Sequence, residues 1–409
     1  MIQVNDDELY LQFKNYIQGI CINSLDWMPH TRNFKTLVKS LATQKLIMTN
    51  AKLWEKEDPI EDTIKEWAQD FSATYQKRLG KLIWDESAFK VELENFKHFL
   101  HSNKVIQTFI TPLYSFRCAT NKPIRFTNDI ELVPSGYDDN IIHMSQIEKT
   151  LPGDNAPPAW FIRCQKEVPK SHYGDPGDHT LDNAESVFEK FTTCLHVMHS
   201  GIFYFGPLFT DGVSPFKKIS DGYSTWSPPL FTGVPSYYSQ QENKYILEKK
   251  DVNNLRQLYI KFSKLNNADL EFITLPISRF NYAFYRLSPH DKIIDHCIAL
   301  ESIYIRDNSE LSYKLALRCS HFLSSTSTER MSMFKTLRET YNLRSQIVHG
   351  NNWKDLEINE AMETEELVRQ SIKKLLDKPA LIHKVMGKQP KKEIHFLDQL
   401  ILGMVKDER

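Results

Sequence analysis

The chain has 409 residues, 41% of them hydrophobic and 25% charged, and its formal net charge is −1. This length predicts two or three domains, and the composition, with few glycines and no biased tract, excludes a low-complexity chain. The near-zero charge does not indicate a nucleic-acid binder, although a local basic patch can bind RNA without a basic total.

The compartment is predicted from the chain's start, its apolar runs and its cysteines. The first residues, MIQVNDDE, are acidic and mixed, unlike the basic start and apolar run of a signal peptide. No apolar run approaches the roughly 18–20 residues of a membrane helix. The six cysteines are scattered without a C-x-x-C pair, which favours reduced thiols. We therefore predict a cytoplasmic protein that does not span a membrane.

The sequence predicts neither a bound metal ion nor a cofactor. The Gly- and Pro-rich loop at 171–179 contains metal-ligand residue types but has no companion cluster elsewhere, so it is interpreted as a polar surface loop. Cys194 and Cys297 lie among apolar residues, and we expect small buried hydrophobes rather than nucleophiles.

Residues 1–104 are predicted to form a helical N-terminal region, because Leu9, Phe13 and Ile17 recur at helical spacing. The last part of the region interleaves cations with aromatic residues: Lys77, Arg78, Lys81, Trp84, Phe89, Lys90 and Lys97. A solvated helix face over an aromatic core is the favoured interpretation. An RNA-contacting surface is the alternative.

Residues 105–275 are predicted to form a strand-rich, mixed middle region that senses a trigger or selects RNA. β-Branched and aromatic runs separated by Pro and Gly turns indicate strands at 105–110, 114–118, 130–133 and 160–164. Helices are expected from about 182 to 198 and from about 252 to 265. The aromatic stretch from 203 to 238 either closes the edge of a core, which we favour, or stacks bases.

Residues 276–409 are predicted to form an antiparallel helical bundle with a C-terminal tail. Apolar positions at helical spacing predict helices at about 277–287, 289–304, 310–323, 329–348 and 358–376, then a short amphipathic segment at 396–405. Ser288 before Pro289 is typical of a helix start. The predicted fold class is therefore α+β, mainly α.

The candidate site is the stretch from Tyr341 to Gly350, where Arg344 and His349 lie five positions apart. RNA cleavage without a metal requires the 2′-hydroxyl to lose a proton, the phosphorane charge to be stabilised and the leaving 5′-oxygen to gain a proton. Histidine suits the proton transfers because its ordinary pKa is near 6.5. Arginine suits the charge because its planar fork binds phosphate with two donors. The alternative is a structural histidine that caps the helix before Gly350.

Helical geometry restricts how these two residues can cooperate. Five residues on a helix separate Arg344 and His349 by roughly 140° around the axis and about 7.5 Å along it. Either the helix loosens at its end, which Gly350 permits, or a second copy completes the site across a two-fold axis. We favour the dimer.

The order and spacing of four segments resemble the HEPN superfamily, specifically its Apea-like branch. The segments are NYAF at 281–284, IALESIY at 298–304, ELSYKLALR at 310–318 and NLRSQIVHG at 342–350. The resemblance covers about 276–376, a third of the chain. It implies a helical bundle, often dimeric, whose Arg-x(4–6)-His motifs form a composite ribonuclease site.

At the positions of this sequence that match the family's motif, the resemblance implies that Arg344 contacts the scissile phosphate and that His349 transfers protons. Many family members have Asn after the arginine, where this chain has Ser345, whose hydroxyl can still donate to phosphate. Glu301 corresponds to a recurrent acidic residue of the second helix. It either orients Arg344 or His349, or pairs with a basic residue of the bundle, Lys314 or Arg318.

The resemblance further implies an endoribonuclease that leaves a 2′,3′-cyclic phosphate and acts in antiphage defence, abortive infection or as a toxin. Its expected partners are RNA, with tRNA as one candidate because relatives attack it, a second copy of the chain, and a phage-derived trigger. The alternative is a non-catalytic HEPN module for dimerisation or nucleotide sensing.

Overall fold

The computed structural model describes residues 10–15, 86–101, 104–137, 159–169, 178–206, 208–210, 245–286, 288–307, 309–350, 358–387 and 393–405, and residues 10–15 are helical. The longer helices are α1 (Glu86–His101), α2 (Asp178–Met198), α3 (Val252–Ser263), α4 (Asn267–Phe284), α5 (Pro289–Tyr304), α6 (Leu311–Leu323), α7 (Ser327–Val348), α8 (Ile358–Asp377), α9 (Ala380–Met386) and α10 (Phe396–Ile401). The strands are β1 (Lys104–Tyr114), β2 (Phe116–Cys118), β3 (Ile124–Arg125), β4 (Ile130–Pro134), β5 (Trp160–Pro169), β6 (Tyr204–Phe205), β7 (Phe209–Thr210) and β8 (Tyr245–Leu247).

An antiparallel sheet forms the middle region, in the order β3-β4-β5-β1-β6, with β7 also paired to β1. Its longest ladder joins β1 to β5 and places Phe109 opposite Cys164. Residues 107–113 are all buried, so both faces of β1 are covered. This explains why the sequence of β1 shows a continuous β-branched and aromatic run rather than alternation. The strands β2 and β8 form a separate parallel pair.

Helix α2 packs its apolar face against this sheet through aromatic contacts. The ring of Phe191 meets Phe126 edge-on with centroids 4.9 Å apart, and Phe188 lies 6.0 Å from Phe205. Edge-on aromatic pairs of this kind add to the stability gained from burial.

The C-terminal helices form a bundle because each has a buried stripe at helical spacing. In α5 the stripe is Ile293, Cys297, Leu300 and Tyr304, all buried. Links of only three to six residues join α4, α5, α6 and α7. Helix α7 begins with an N-cap, in which Thr326 Oγ1 accepts from the Glu329 amide at 3.3 Å.

Helix α8 connects the bundle to the middle region. Its Arg369 donates from Nε to the carbonyl of His196 at the end of α2, at 2.9 Å, and pairs with Glu365 and Glu366. One continuous apolar cluster extends from Phe109 in the sheet to Leu397 in α10. The sheet and the bundle therefore share a core.

The predicted fold class, α+β and mainly α with a small sheet, is confirmed. The largest difference in a helix boundary is at α4, which begins at Asn267 rather than near 277. Pro276 lies inside this helix, and the Asn266 side chain caps it by accepting from the Asp269 amide at 2.9 Å. The predicted domain boundary at 276 thus falls within α4, and the three-part division stays a prediction. Within the described ranges, no helix has the length and apolarity to cross a bilayer.

Several predictions about individual side chains can be compared with their positions. Cys194 and Cys297 are buried as predicted, and burial raises the pKa of the Cys297 thiol to about 12. Phe203 and Phe205 are buried, as expected where aromatics close a core, while residues 211–244 lie outside the described part. The loop at 171–179 lies almost wholly outside it as well.

In α1, Phe89 is fully buried. Lys97 pairs with Glu94 at 2.8 Å, and Lys90 lies over the ring of Tyr10 at 5.6 Å. These contacts agree with a solvated helix face over an aromatic core. The remaining residues of the predicted basic and aromatic stretch lie outside the described ranges.

Candidate functional site

The candidate site lies at the C-terminal end of α7, which stays helical through Val348. His349 is the C-cap residue, and its amide donates to the Ser345 carbonyl at 3.1 Å. Gly350 follows with φ +70°, a left-handed conformation that glycine adopts without strain. Since the helix does not loosen before His349, the estimate of roughly 140° between Arg344 and His349 applies.

Arg344 faces into the bundle. Its neighbours on α7, Leu343 and Ile347, pack against Ile293 and Cys297 of α5. The guanidinium of Arg344 is half-buried, and its Nε is buried without a hydrogen-bond partner among the described residues. A buried guanidinium donor without a partner costs free energy, so Arg344 keeps an unused donor at this position.

Tyr341 and Glu301 lie beside Arg344. The Arg344 Cζ atom is 5.8 Å from the centroid of the Tyr341 ring, within the range of a cation–π contact. The Tyr341 hydroxyl lies close to the Glu301 carboxylate. Burial, followed by this carboxylate, raises the pKa of Tyr341 to about 12, while Arg344 acts in the opposite direction. Tyr341 therefore connects the acidic residue of α5 to the arginine of α7.

The sequence left two interpretations open for Glu301. Pairing with Lys314 or Arg318 is not what the structure shows. Lys314 Nζ lies 2.6 Å from Asp307, and Arg318 binds Asp398 with two donors at 2.9 Å each. Glu301 instead lies on the side of α5 that faces Arg344.

His349 occupies the solvent side of the helix end. Its side chain is exposed and has no hydrogen-bond or ion-pair partner in the described part of the chain. Ser345 is half-buried one turn earlier. Arg344 and His349 are thus on opposite sides of α7, and a single chain does not bring them together.

Sequence reasoning assigned no role to Tyr341. Two signals could have identified it: its position three residues before Arg344, which places the two side chains next to each other on a helix, and the acidic residue expected nearby on α5. Glu301 is 40 positions away in the sequence, and its proximity to Tyr341 depends on how α5 packs against α7.

A separate buried polar cluster lies where α2, α4, α5 and α8 meet. His196 Nδ1 donates to Asn281 Oδ1 at 3.0 Å, and Asn281 Nδ2 donates to Thr193 Oγ1 at 2.8 Å. The His196 ring stacks on Phe284 with centroids 3.7 Å apart. His296 is buried, and neither of its ring nitrogens has a hydrogen-bond partner among the described residues. Burial lowers the pKa of both His196 and His296 to about 3.

Comparison of the chain with protein-family models, with curated proteins and with solved structures finds no match. Among the described residues, no group of three or more His, Cys, Asp or Glu is arranged to hold a metal ion. The candidate site thus has two parts. Arg344 and Tyr341 lie on one side of α7, next to Glu301 of α5. His349 and Ser345 lie towards the other side of α7.

Proposed function

We propose that this chain is a metal-independent endoribonuclease of the HEPN type. The observation that supports this proposal best is the lack of partners for the side chains of Arg344 and His349. Among the described residues, the exposed His349 has no partner, and the buried Nε of Arg344 has no acceptor. Structural arginines normally have their buried donors satisfied, whereas a phosphate-binding arginine needs donors to spare.

In the proposed reaction, His349 removes the proton from a 2′-hydroxyl, whose oxygen then attacks the adjacent phosphorus. The guanidinium of Arg344 binds the non-bridging oxygens and stabilises the charge that develops on them. The bond to the 5′-oxygen breaks as that oxygen gains the proton that His349 took from the 2′-hydroxyl. The products are a 2′,3′-cyclic phosphate and a 5′-hydroxyl. Ser345 adds a hydroxyl donor, and Glu301 positions Arg344 through Tyr341.

The proposed enzyme is a homodimer. One chain directs Arg344 and His349 to opposite sides of α7, so two copies related by a two-fold axis are needed to bring an arginine and a histidine to one phosphate. Val348, next to His349, is 52% exposed and offers apolar surface at the same helix end.

The wider role follows from the resemblance of residues 276–376 to HEPN proteins. We place the protein in the cytoplasm as an abortive-infection or toxin effector that cleaves RNA, with tRNA as one candidate substrate. The region before the bundle would sense a phage-derived trigger or select the RNA.

A second candidate function is a non-catalytic HEPN module for dimerisation or nucleotide sensing. The observation that favours it is the position of Arg344, which lies against Tyr341 and faces the bundle as a packing residue would. Under this alternative, His349 is only the C-terminal cap of α7.

The test is RNA cleavage and growth arrest on expression of the full chain, followed by mapping of the RNA ends. Wild type should cleave in excess EDTA, while His349→Ala and Arg344→Ala should each lose at least about 100-fold in rate. The matched controls are His98→Ala and Arg117→Ala, which remove exposed side chains from α1 and β2 and should retain activity. If both site variants cleave like wild type, the catalytic proposal is wrong. Dimers that cleave no RNA would support the second candidate.

A further inference from the structure

The solvent side of α7 presents a line of polar residues that ends at the proposed catalytic histidine. Lys335, Arg338, Asn342, Ser345 and His349 follow one another at spacings of three, four, three and four. This alternation keeps all five on one face of the helix, within an arc of about 80°. We call these five residues the α7 stripe. It extends over about 21 Å of helix axis.

The α7 stripe points away from the protein's own core. In α7 only Leu337 and Thr340 are buried, and both lie on the side that packs against the bundle. Within the stripe, Lys335, Asn342 and His349 are exposed. Arg338 and Ser345 are half-buried. Both ends and the middle of the stripe therefore reach solvent, while Arg338 and Ser345 are partly covered.

The two cations of the α7 stripe are unpaired. Neither Lys335 nor Arg338 has an ion-pair partner in the described part of the chain. The nearest carboxylate in the sequence, Glu339, is exposed and lies about 100° around the helix from Arg338 and about 40° from Lys335, one turn along the helix, but no ion pair joins it to either cation.

Other cations of the protein form ion pairs with carboxylates. Lys314 is paired with Asp307 at 2.6 Å, and Lys261 with Asp377 at 2.9 Å. An anion that approached these residues would have to displace a carboxylate. An anion that approached Lys335 or Arg338 would meet two cations that form no ion pair with a described carboxylate, so charge complementarity favours a polyanion along this face.

We infer that the α7 stripe binds the phosphate backbone of single-stranded RNA and leads it to His349. Lys335 and Arg338 contact successive phosphates, and Asn342 and Ser345 donate hydrogen bonds to phosphate or 2′-hydroxyl oxygens closer to the cut. The RNA bound by the stripe is single-stranded, because in-line attack by a 2′-hydroxyl needs a sugar–phosphate unit free of duplex geometry. This inference rests on the proposed function for the nature of the substrate, but RNA binding by the stripe can be measured without cleavage.

The experiment measures fluorescence anisotropy of a labelled single-stranded oligoribonucleotide with the full chain, in a His349→Ala background so that the probe stays intact. Lys335→Ala/Arg338→Ala should weaken binding at least about tenfold and reduce the slope of log affinity against log salt by about 1.4, since each phosphate contact on a single strand contributes about 0.7. The matched control is Lys249→Ala/Lys264→Ala, which removes two exposed cations next to α3 and should bind like the background protein.

Three outcomes separate this inference from the proposed function. Equal loss in both double variants would show an unspecific charge effect and overturn the inference. Loss of the dimer in Lys335→Ala/Arg338→Ala, measured by light scattering, would overturn it as well, because the stripe would then be a contact between chains. If wild type binds RNA through the stripe but does not cleave it, the inference holds and the catalytic proposal fails.

Discussion

Two buried histidines should cause the protein to lose stability between pH 7 and pH 5. His196 and His296 are neutral in the folded protein because burial lowers both pKa values from 6.5 to about 3. The unfolded chain therefore takes up these protons first as the pH falls. Stability that is fully present above pH 6.5 is lost progressively towards pH 3. At pH 5 the loss is about 2 kcal/mol per histidine, since pH 5 is about 1.5 units below the unfolded value and each unit corresponds to about 1.4 kcal/mol.

The assay is urea unfolding of the full chain at pH 7 and pH 5. Wild type should lose about 4 kcal/mol between the two pH values from these histidines, and His296→Leu should lose about 2 kcal/mol. His296 is the better site for substitution because neither of its ring nitrogens has a partner among the described residues. The control His98→Ala removes an exposed histidine and leaves the core unchanged. Equal stability of wild type at both pH values would refute the assignment of two neutral buried rings.

Substitutions at three further positions test individual contacts by thermal or urea unfolding. Tyr341→Phe removes the hydroxyl beside Glu301 and should lower the free energy of unfolding by about 1 kcal/mol, and an unchanged value would mean that this hydroxyl contributes nothing. Asp398→Ala leaves the buried guanidinium of Arg318 without its carboxylate and should cost about 3 kcal/mol, whereas the shape-preserving Asp398→Asn should cost less. Thr326→Ala removes the N-cap of α7 and should cost about 1 kcal/mol.

Local patterns in the sequence were sufficient to predict most helices and strands. The runs at 130–133 and 160–164 lie within β4 and β5, and the predicted end of α7, at residue 348, agrees with the structure. The start of α4 was predicted about ten residues too late, although Pro276 would normally favour a helix start or break. Here the helix continues through it from a capping Asn266.

Contacts between distant parts of the chain could not be predicted. The parallel pairing of β2 with β8 joins Phe116 to Tyr245, and the Arg318–Asp398 pair connects α6 to α10. For the candidate site, the sequence supplied the two motif residues and their angular separation. It did not predict the proximity of Tyr341 to Glu301, which depends on how two amphipathic helices are rotated against each other.

The most direct test of the central claim is RNA cleavage by mixed dimers of two inactive chains, Arg344→Ala and His349→Ala. If the site combines Arg344 of one chain with His349 of the other, a mixed dimer holds one intact site and one doubly mutated site. Random exchange should then restore on the order of one quarter of wild-type activity. Activity no higher than that of the two separate variants, with exchange confirmed by mass, would contradict a ribonuclease site shared between two chains.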